Sequence, residues 1–187
     1  MSWENIARGK RSCLIRKGNK VKKVFLKEFR GGIEIEAKFL KLMSKKDISP
    51  SVISVDSEGI VMDFAEGILL KDFLMSCSKK NLIDILIKIL DICRKLDKMG
   101  INKMEMNHPG KHIIIGKKIL LVDFERARFS ENPKNVRQFV SFIGSGFILE
   151  KLDIENRVDF RKKIEDLAEK YKKDAKVYEK IVSFLRQ

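Results

Sequence analysis

Residues 113–127 read Ile-Ile-Ile-Gly-Lys-Lys-Ile-Leu-Leu-Val-Asp-Phe-Glu-Arg-Ala. The pattern predicts a β-hairpin in which Gly116-Lys117-Lys118 form the turn between two apolar arms, and we expect the second arm to be buried on both faces. That arm ends in Asp123. An acid at this place either caps the turn after the strand or binds a cation, and a rigidly held carboxylate suits a metal that neutralises phosphate charge. The hairpin alone leaves both interpretations open.

The composition indicates a folded protein that does not span a membrane. The chain has 187 residues, of which 44% are hydrophobic, so it can bury a core. No apolar run approaches the roughly 20 residues of a transmembrane helix, and the first residues lack the pattern of a signal peptide. The three cysteines are far apart and without CxxC spacing, which argues against a disulfide framework or a zinc site. We therefore expect a cytoplasmic protein without a membrane partner.

The net charge of +14 predicts attraction to anions such as nucleotides, RNA or acidic proteins. A second interpretation is a solvated surface, because 35% of the residues are charged and lysine-rich surfaces are typical of hyperthermophile proteins. Two histidines and one tryptophan argue against a histidine-rich metal site and an extended aromatic stacking platform.

The order of predicted elements indicates an α+β fold with two lobes. The first lobe is expected over residues 1–66, with strands at 13–16, 21–29, 52–55 and 59–64 and a helix at 33–45. The second lobe, 67–187, is expected to hold helices at 69–77 and 82–99, the hairpin, and helices after Pro133. Asn132 and Pro133 fit the N-cap and the first position of one of those helices.

With the elements in this order, Asp123-Phe124-Glu125 resembles the Asp-Phe-Gly motif of the protein-kinase-like superfamily. Over residues 5–145 the chain looks most similar to small atypical archaeal predicted serine/threonine kinases related to the RIO-type and Bud-type enzymes. The resemblance implies a two-lobed kinase-like fold: a β-rich nucleotide-binding lobe with one helix, then a small helical lobe with the catalytic loop and the metal motif. It also implies ATP and Mg²⁺ in the cleft between the lobes and transfer of the γ-phosphoryl group to a hydroxyl of an unknown protein or small molecule. Asp123 would bind the metal.

Lys27 ends the apolar run 24–27 and matches the family's phosphate-contacting lysine. Lys22 and Lys23 are alternatives that precede this run, and an ordinary exposed strand lysine is another interpretation.

Glu36 matches the helix glutamate that pairs with that lysine in the family. It lies three residues after Ile33 and four before Leu40, so helical geometry puts it on the apolar face. A buried acid needs a partner. Glu34 is the alternative and should face water.

Two further segments match nucleotide-binding parts of the family. Gly9 stands where the family has its glycine-rich loop over the phosphates, although an ordinary turn explains one glycine equally well. Residues 62–67 match the linker whose backbone binds the adenine edge, which assigns Asp63 and Phe64 to the nucleotide site. Phe64 also fits the hydrophobic core.

The loop 103–112 matches the catalytic loop in two registers. In the first, Glu105 takes the place of the catalytic aspartate and would accept the hydroxyl proton. Lys111 and His112 then stand near the family's metal-binding asparagine, with Lys111 adding charge at the γ-phosphate and His112 binding metal. In the second register Asn107 takes the aspartate position and cannot act as a base. The extra methylene of Glu105 displaces its carboxylate, which lowers the expected rate.

Two other functions are compatible with the sequence. A nucleotide-binding pseudoenzyme or slow ATPase switch within a complex would explain the altered catalytic loop. A basic RNA-associated module would explain the charge, and the basic helices after Lys151 favour it.

Overall fold

The computed structural model describes residues 2–187 and has α+β architecture. The chain divides into two compact units. Unit 1 runs up to Leu69 and also contains His112–Ala127, while unit 2 consists of Leu70–Lys111 and Arg128–Gln187. The sequence predicted one continuous second lobe from residue 67, whereas the hairpin and its Asp123 belong with the N-terminal residues.

Unit 1 contains a five-stranded antiparallel sheet in the order β1-β2-β3-β5-β4. Its strands are β1 Glu4–Arg8, β2 Ser12–Lys17, β3 Lys20–Phe25, β4 Val52–Val55 and β5 Gly59–Asp63. Helix α1, Ile33–Ser44, packs on β4 and β5. Four buried apolar residues of α1 recur at helical spacing, as expected of a helix with one face in the core: Ile33, Ala37, Leu40 and Met43. Phe39 is buried beside them.

The predicted hairpin is confirmed. It consists of β8, Ile113–Ile115, and β9, Ile119–Leu121, and β6, Ile68–Leu69, adds a third antiparallel strand. The second arm was expected to be buried along its whole length, but only Leu121, at the end of β9, is buried, and the two residues before it are half-buried. The N–H of Leu121 donates to the carbonyl oxygen of Ile48 at 2.7 Å. This bond fixes the hairpin to the segment that follows α1.

The predicted strand 21–29 is too long. Strand β3 ends at Phe25, and a 3-10 helix, Lys27–Gly32, follows. The N–H of Phe29 donates to the carbonyl oxygen of Leu26 at 2.9 Å, so this backbone closes a turn instead of continuing the sheet ladder.

Unit 2 is mainly helical. Its helices are α2 Leu70–Ser76, α3 Lys79–Lys98, α4 Asn135–Ile143, α5 Gly146–Lys151, α6 Arg157–Lys173 and α7 Tyr178–Leu185. Two short antiparallel strands, β7 Ile101–Asn102 and β10 Arg128–Phe129, and 3-10 helices at Pro109–Lys111 and Ala175–Val177 complete it. Helix α3 packs on α4 and α7, and α6 packs on α4 and α7. Among residues 2–187, no helix combines the length and the apolar character needed to cross a membrane.

The start of α4 differs from the prediction at Asn132 and Pro133. The helix begins at Asn135, and the carboxylate of Asp97 accepts from the N–H groups of Asn135, at 3.0 Å, and Val136, at 3.2 Å. An acid brought by α3 therefore caps this helix, which satisfies its first amides and complements its dipole. A cap from a distant segment leaves no local sequence signature.

Candidate functional site

Lys23 is the centre of a charged cluster in unit 1. In β3, alternate residues Val21, Lys23 and Phe25 are buried, because side chains along a strand point to opposite faces in turn. The Lys23 ammonium nitrogen Nζ lies 2.9 and 2.7 Å from the two carboxylate oxygens of Glu36, and 3.0 Å from Oδ1 of Asp123. One buried cation thus joins the sheet, helix α1 and the segment after the hairpin.

The predicted pairing of Glu36 with Lys27 is wrong, because Lys23 fills that place. Lys27 is exposed at the start of the 3-10 helix that follows β3. The predicted burial of Glu36 is confirmed, at 1% exposure, and Glu34 is exposed as expected. Val21 and Phe25 lie two residues before and after Lys23, and this period of two could have identified Lys23 as the lysine on the buried face of the strand. The apolar run 24–27 is misleading, because the strand ends at Phe25.

The hairpin explains the position of Asp123. The N–H of Val122 donates to the carbonyl oxygen of His112 at 3.0 Å, so the pairing of the two arms continues past the strands and brings residues 112 and 123 side by side. His112 Nδ1 is 3.5 Å from Oδ2 of Asp123. Asp123 has a φ of 63°, in the left-handed region that aspartate tolerates better than most residues.

The electrostatics of the cluster follow from burial and charge. Burial alone would lower the pKa of Lys23, but the attraction and hydrogen bonds of Glu36 and Asp123 outweigh it and raise that pKa, so the ammonium stays charged. Burial raises the pKa of Glu36, and repulsion from Asp123 and Glu125 adds to the rise against the opposing effect of Lys23. The Lys23 ammonium therefore does not fully offset the burial of Glu36 and the repulsion from its neighbouring carboxylates.

A second cation borders this cluster. The Nη1 atom of Arg11, in the turn between β1 and β2, lies 2.6 Å from Oε1 of Glu125, two residues after Asp123. Ligand oxygens of Glu36, Asp123 and Glu125 all lie within 4.8 Å of one another. Carboxylate oxygens are the donors that Mg²⁺ prefers, so the chemistry of the donor set fits a hard divalent cation.

Gly9 lies in the same turn as Arg11, and its N–H donates to the carbonyl oxygen of Ser12 at 2.9 Å. The turn between β1 and β2 is thus the segment at which the resemblance expects a phosphate-covering loop. A different glycine is required by the fold. A Cβ on Gly59 would lie 1.9 Å from the carbonyl oxygen of Lys23, so only glycine allows β5 to approach β3 at this point.

Asp63 ends β5, and Phe64 follows it directly. Their N–H groups donate to the carbonyl oxygens of Ser51, at 2.9 Å, and Asn19, at 2.7 Å. The Arg16 guanidinium carbon lies 3.6 Å from the centre of the Phe64 ring. Both amides therefore serve the fold, and an adenine edge would need other backbone groups of this segment.

The predicted catalytic loop lies in unit 2 apart from His112. Met104 and Glu105 have φ values of 66° and 60°, and the Glu105 carbonyl accepts from the N–H of His108 at 3.0 Å. Two consecutive non-glycine residues in the left-handed region are costly, so the surrounding fold must hold this loop in place. Lys111 is exposed at the end of the 3-10 helix Pro109–Lys111.

Asn135 is the residue that holds the start of this loop, and sequence reasoning missed it. Its Oδ1 accepts from the N–H of Lys103 at 2.9 Å, and its Nδ2 donates to the carbonyl oxygen of Ile101 at 2.6 Å and to Oδ1 of Asp97 at 2.7 Å. The side chain is fully buried. It therefore fixes the backbone immediately before the strained pair.

These features define an α+β protein with a buried lysine–carboxylate cluster at the end of a hairpin. No protein-family model matches the chain. The chain belongs to the family of the Uncharacterized protein MJ1211 of Methanocaldococcus jannaschii. The two sequences are 30% identical over 115 residues, which cover 60% of this chain and 99% of the relative.

Proposed function

We propose that the chain is an ATP-dependent phosphotransferase with a two-lobed protein-kinase-like fold, which moves the γ-phosphoryl group of ATP to a hydroxyl acceptor. The observation that carries the proposal is the contact of one buried ammonium, Lys23, with both Glu36 and Asp123. Phosphoryl transfer needs fixed positive charge and a held metal more than it needs covalent chemistry by the protein. A cluster with these charges supports such a role.

Each residue has a distinct task in this proposal. Lys23 contacts the phosphates as a point charge, in place of the expected Lys27, and Glu36 positions it. Asp123 holds the metal, since its side chain is one-third exposed and its carboxylate lies beside those of Glu36 and Glu125. Bound Mg²⁺ would neutralise phosphate charge. His112 would orient the Asp123 carboxylate and would not bind the metal itself, because Mg²⁺ prefers oxygen ligands.

The turn from Gly9 to Arg11 would cover the phosphates, and Arg11 could exchange its contact with Glu125 for a phosphate oxygen. Glu105 would orient the acceptor hydroxyl, and Lys111 would add charge at the γ-phosphate. The acceptor is an unknown protein or small molecule. The distorted backbone at Glu105 is compatible with a strained catalytic loop.

The first experiment measures the melting temperature with and without Mg²⁺ and ATP. A ligand at about 100 times its Kd adds about 2.7 kcal/mol of stability, which is about 5–10 °C for a chain of this size. Asp123→Asn should remove the dependence on Mg²⁺. Lys23→Arg, which keeps the charge but not its geometry, should weaken binding at least about tenfold. Lys22→Arg is the matched control, because Lys22 pairs with Asp56 at the surface. Absence of a shift in the unmodified protein would refute the proposal.

The second experiment follows the labelled γ-phosphate of ATP. Transfer of the label to protein or to an added hydroxyl acceptor supports the phosphotransferase. Binding of ATP without any transfer would instead identify a nucleotide-binding pseudoenzyme, and transfer only to water would identify a slow ATPase. Glu105→Gln should reduce transfer without changing the affinity for ATP, because a proton acceptor acts on the chemical step.

A further inference from the structure

Unit 2 contains a cavity of about 330 Å³ that the proposed function does not use. The ends of α3 and α6 and the segment before α4 form its wall. Its lining combines cationic residues with a few carboxylates and a small apolar part, and the apolar part consists of Pro133, Ala168, Tyr171 and Ala175. Its size falls within the range of pockets that hold small molecules.

The charged lining is strongly unbalanced. Five cationic residues face two acids, Asp97 and Glu131. Asp97 is already committed, because it accepts hydrogen bonds from the backbone and side chain of Asn135 and from the backbone of Val136. Burial raises its pKa in spite of these hydrogen bonds and one from Tyr171. The Asp97 carboxylate therefore caps α4 and makes no ion pair with the lining lysines.

Within the described part of the chain, four of the five cations have no acidic partner. Arg137 is the exception and pairs with Glu169 at 2.5 Å. The other four cations of the lining are lysines, and none of them makes an ion pair with any of residues 2–187: Lys98, Lys134, Lys172 and Lys173.

These lysines come from separate elements. Lys98 is in the last turn of α3, Lys172 and Lys173 are in the last turn of α6, and Lys134 precedes α4. Lysine at a helix C-terminus complements the helix dipole, which accounts for single residues but not for the convergence of three elements on one concavity. Like charges around a concave surface raise the local potential and concentrate anions.

We propose that this cavity binds a small ligand that carries phosphate groups. Lysine ammonium groups are point-charge partners for phosphate oxygens. The volume suits a free phosphorylated compound or the terminal nucleotide of an RNA strand, and the two share the same phosphate chemistry. The site is independent of the Lys23 cluster, since all of its lining belongs to unit 2.

The test is a titration of the full chain at low salt with two probes, inorganic tripolyphosphate and a short single-stranded RNA. The variant Lys172→Glu/Lys173→Glu reverses two charges of the cavity. The matched control, Lys162→Glu/Lys170→Glu, makes the same change of net charge on α6, at residues that do not line it. We expect the cavity variant to weaken binding at least about tenfold and the control to weaken it less than about twofold.

Each outcome decides the matter. Loss of tripolyphosphate binding in the cavity variant alone supports a free phosphorylated ligand, and the same selective loss for RNA supports a strand end as the source. Equal losses in both variants would show attraction to the net charge only and overturn the proposal. Absence of binding by both probes to the unmodified chain would also overturn it. Because Lys23 is unchanged in both variants, any tripolyphosphate bound at its cluster contributes equally to each, and the difference between the two variants reports on the cavity alone.

Discussion

Replacement of Lys23 by methionine tests whether the buried ammonium neutralises Glu36. The variant keeps the length and the apolar stem of the side chain but removes two contacts to Glu36, at 2.9 and 2.7 Å. Glu36 is 1% exposed, so it cannot remain charged there without a partner and must take up a proton.

The magnitude follows from that proton. Glu36 has an ordinary pKa of 4.5, and holding it neutral at pH 7 costs about 3 kcal/mol at 1.36 kcal/mol for each pH unit. Removing one member of a buried ion pair costs about 3–5 kcal/mol in general, which agrees. For a chain of this size the loss lowers the melting temperature by about 10 °C.

The pH dependence has a definite sign. In the variant, the pKa of Glu36 in the folded state lies above its value in the unfolded state. The folded state then binds the proton more tightly, so its stability is greatest below the unfolded pKa and falls as the pH rises towards the folded pKa. The loss relative to the unmodified protein should therefore nearly vanish near pH 4.5 and grow up to pH 7.

The assay is urea unfolding at several pH values. The double variant Lys23→Met/Glu36→Leu should recover most of the lost stability at pH 7, because it leaves no buried unpaired charge. Lys22→Met is the control, and it should change stability little, because Lys22 pairs with an exposed partner, Asp56. A loss below about 1 kcal/mol, or a loss that does not depend on pH, would refute the reasoning.

Three further predictions concern the supports of the two units. Asn135→Ala removes the three hydrogen bonds of a buried side chain and should lower the free energy of unfolding by about 3 kcal/mol. A urea unfolding free energy within about 1 kcal/mol of that of the unmodified protein would contradict this. Gly59→Ala should destabilise unit 1 and weaken ATP binding, because the added Cβ would collide with the Lys23 carbonyl oxygen. Gly31→Ala is the control, because its Cβ would meet none of the described residues within 4 Å, and equal melting temperatures of the two variants would contradict the prediction. Ultraviolet titration should show that burial raises the pKa of Tyr171 to about 12 and that the pKa of Tyr178 is raised as well. Because both pKa values are higher in the folded state, the free energy of unfolding should fall as the pH rises above about 10, the ordinary pKa of tyrosine.

The sequence was most informative where a pattern is local. Two apolar arms around Gly116 predicted the hairpin, and the spacing of Ile33, Glu36 and Leu40 predicted the buried face of α1. The α+β class followed from the order of such patterns. Each of these predictions rests on the period of a strand or a helix, which the backbone imposes directly.

The sequence was least informative where the outcome depends on the end of an element or on a distant partner. Lys27 was expected in place of Lys23 because the predicted strand is four residues too long, and strand ends are set by turn bonds such as that of Phe29. The cap of α4 by Asp97 depends on how α3 packs on α4. Neither the cap nor the role of Asn135 has a signature in the neighbouring residues.

Binding of the ATP phosphates by the Lys23 cluster is the central claim. The most direct measurement is a titration of the isotope-labelled chain with ATP and Mg²⁺ up to millimolar concentration, followed by the amide resonances. We predict saturable shifts at Lys23, Arg11 and Asp123 in the unmodified chain, and in Asp123→Asn the shifts at Lys23 and Arg11 should be the same with and without Mg²⁺. Unchanged resonances at these three residues, at an ATP concentration of about 1 mM, the upper end of usual substrate KM values, would contradict the claim.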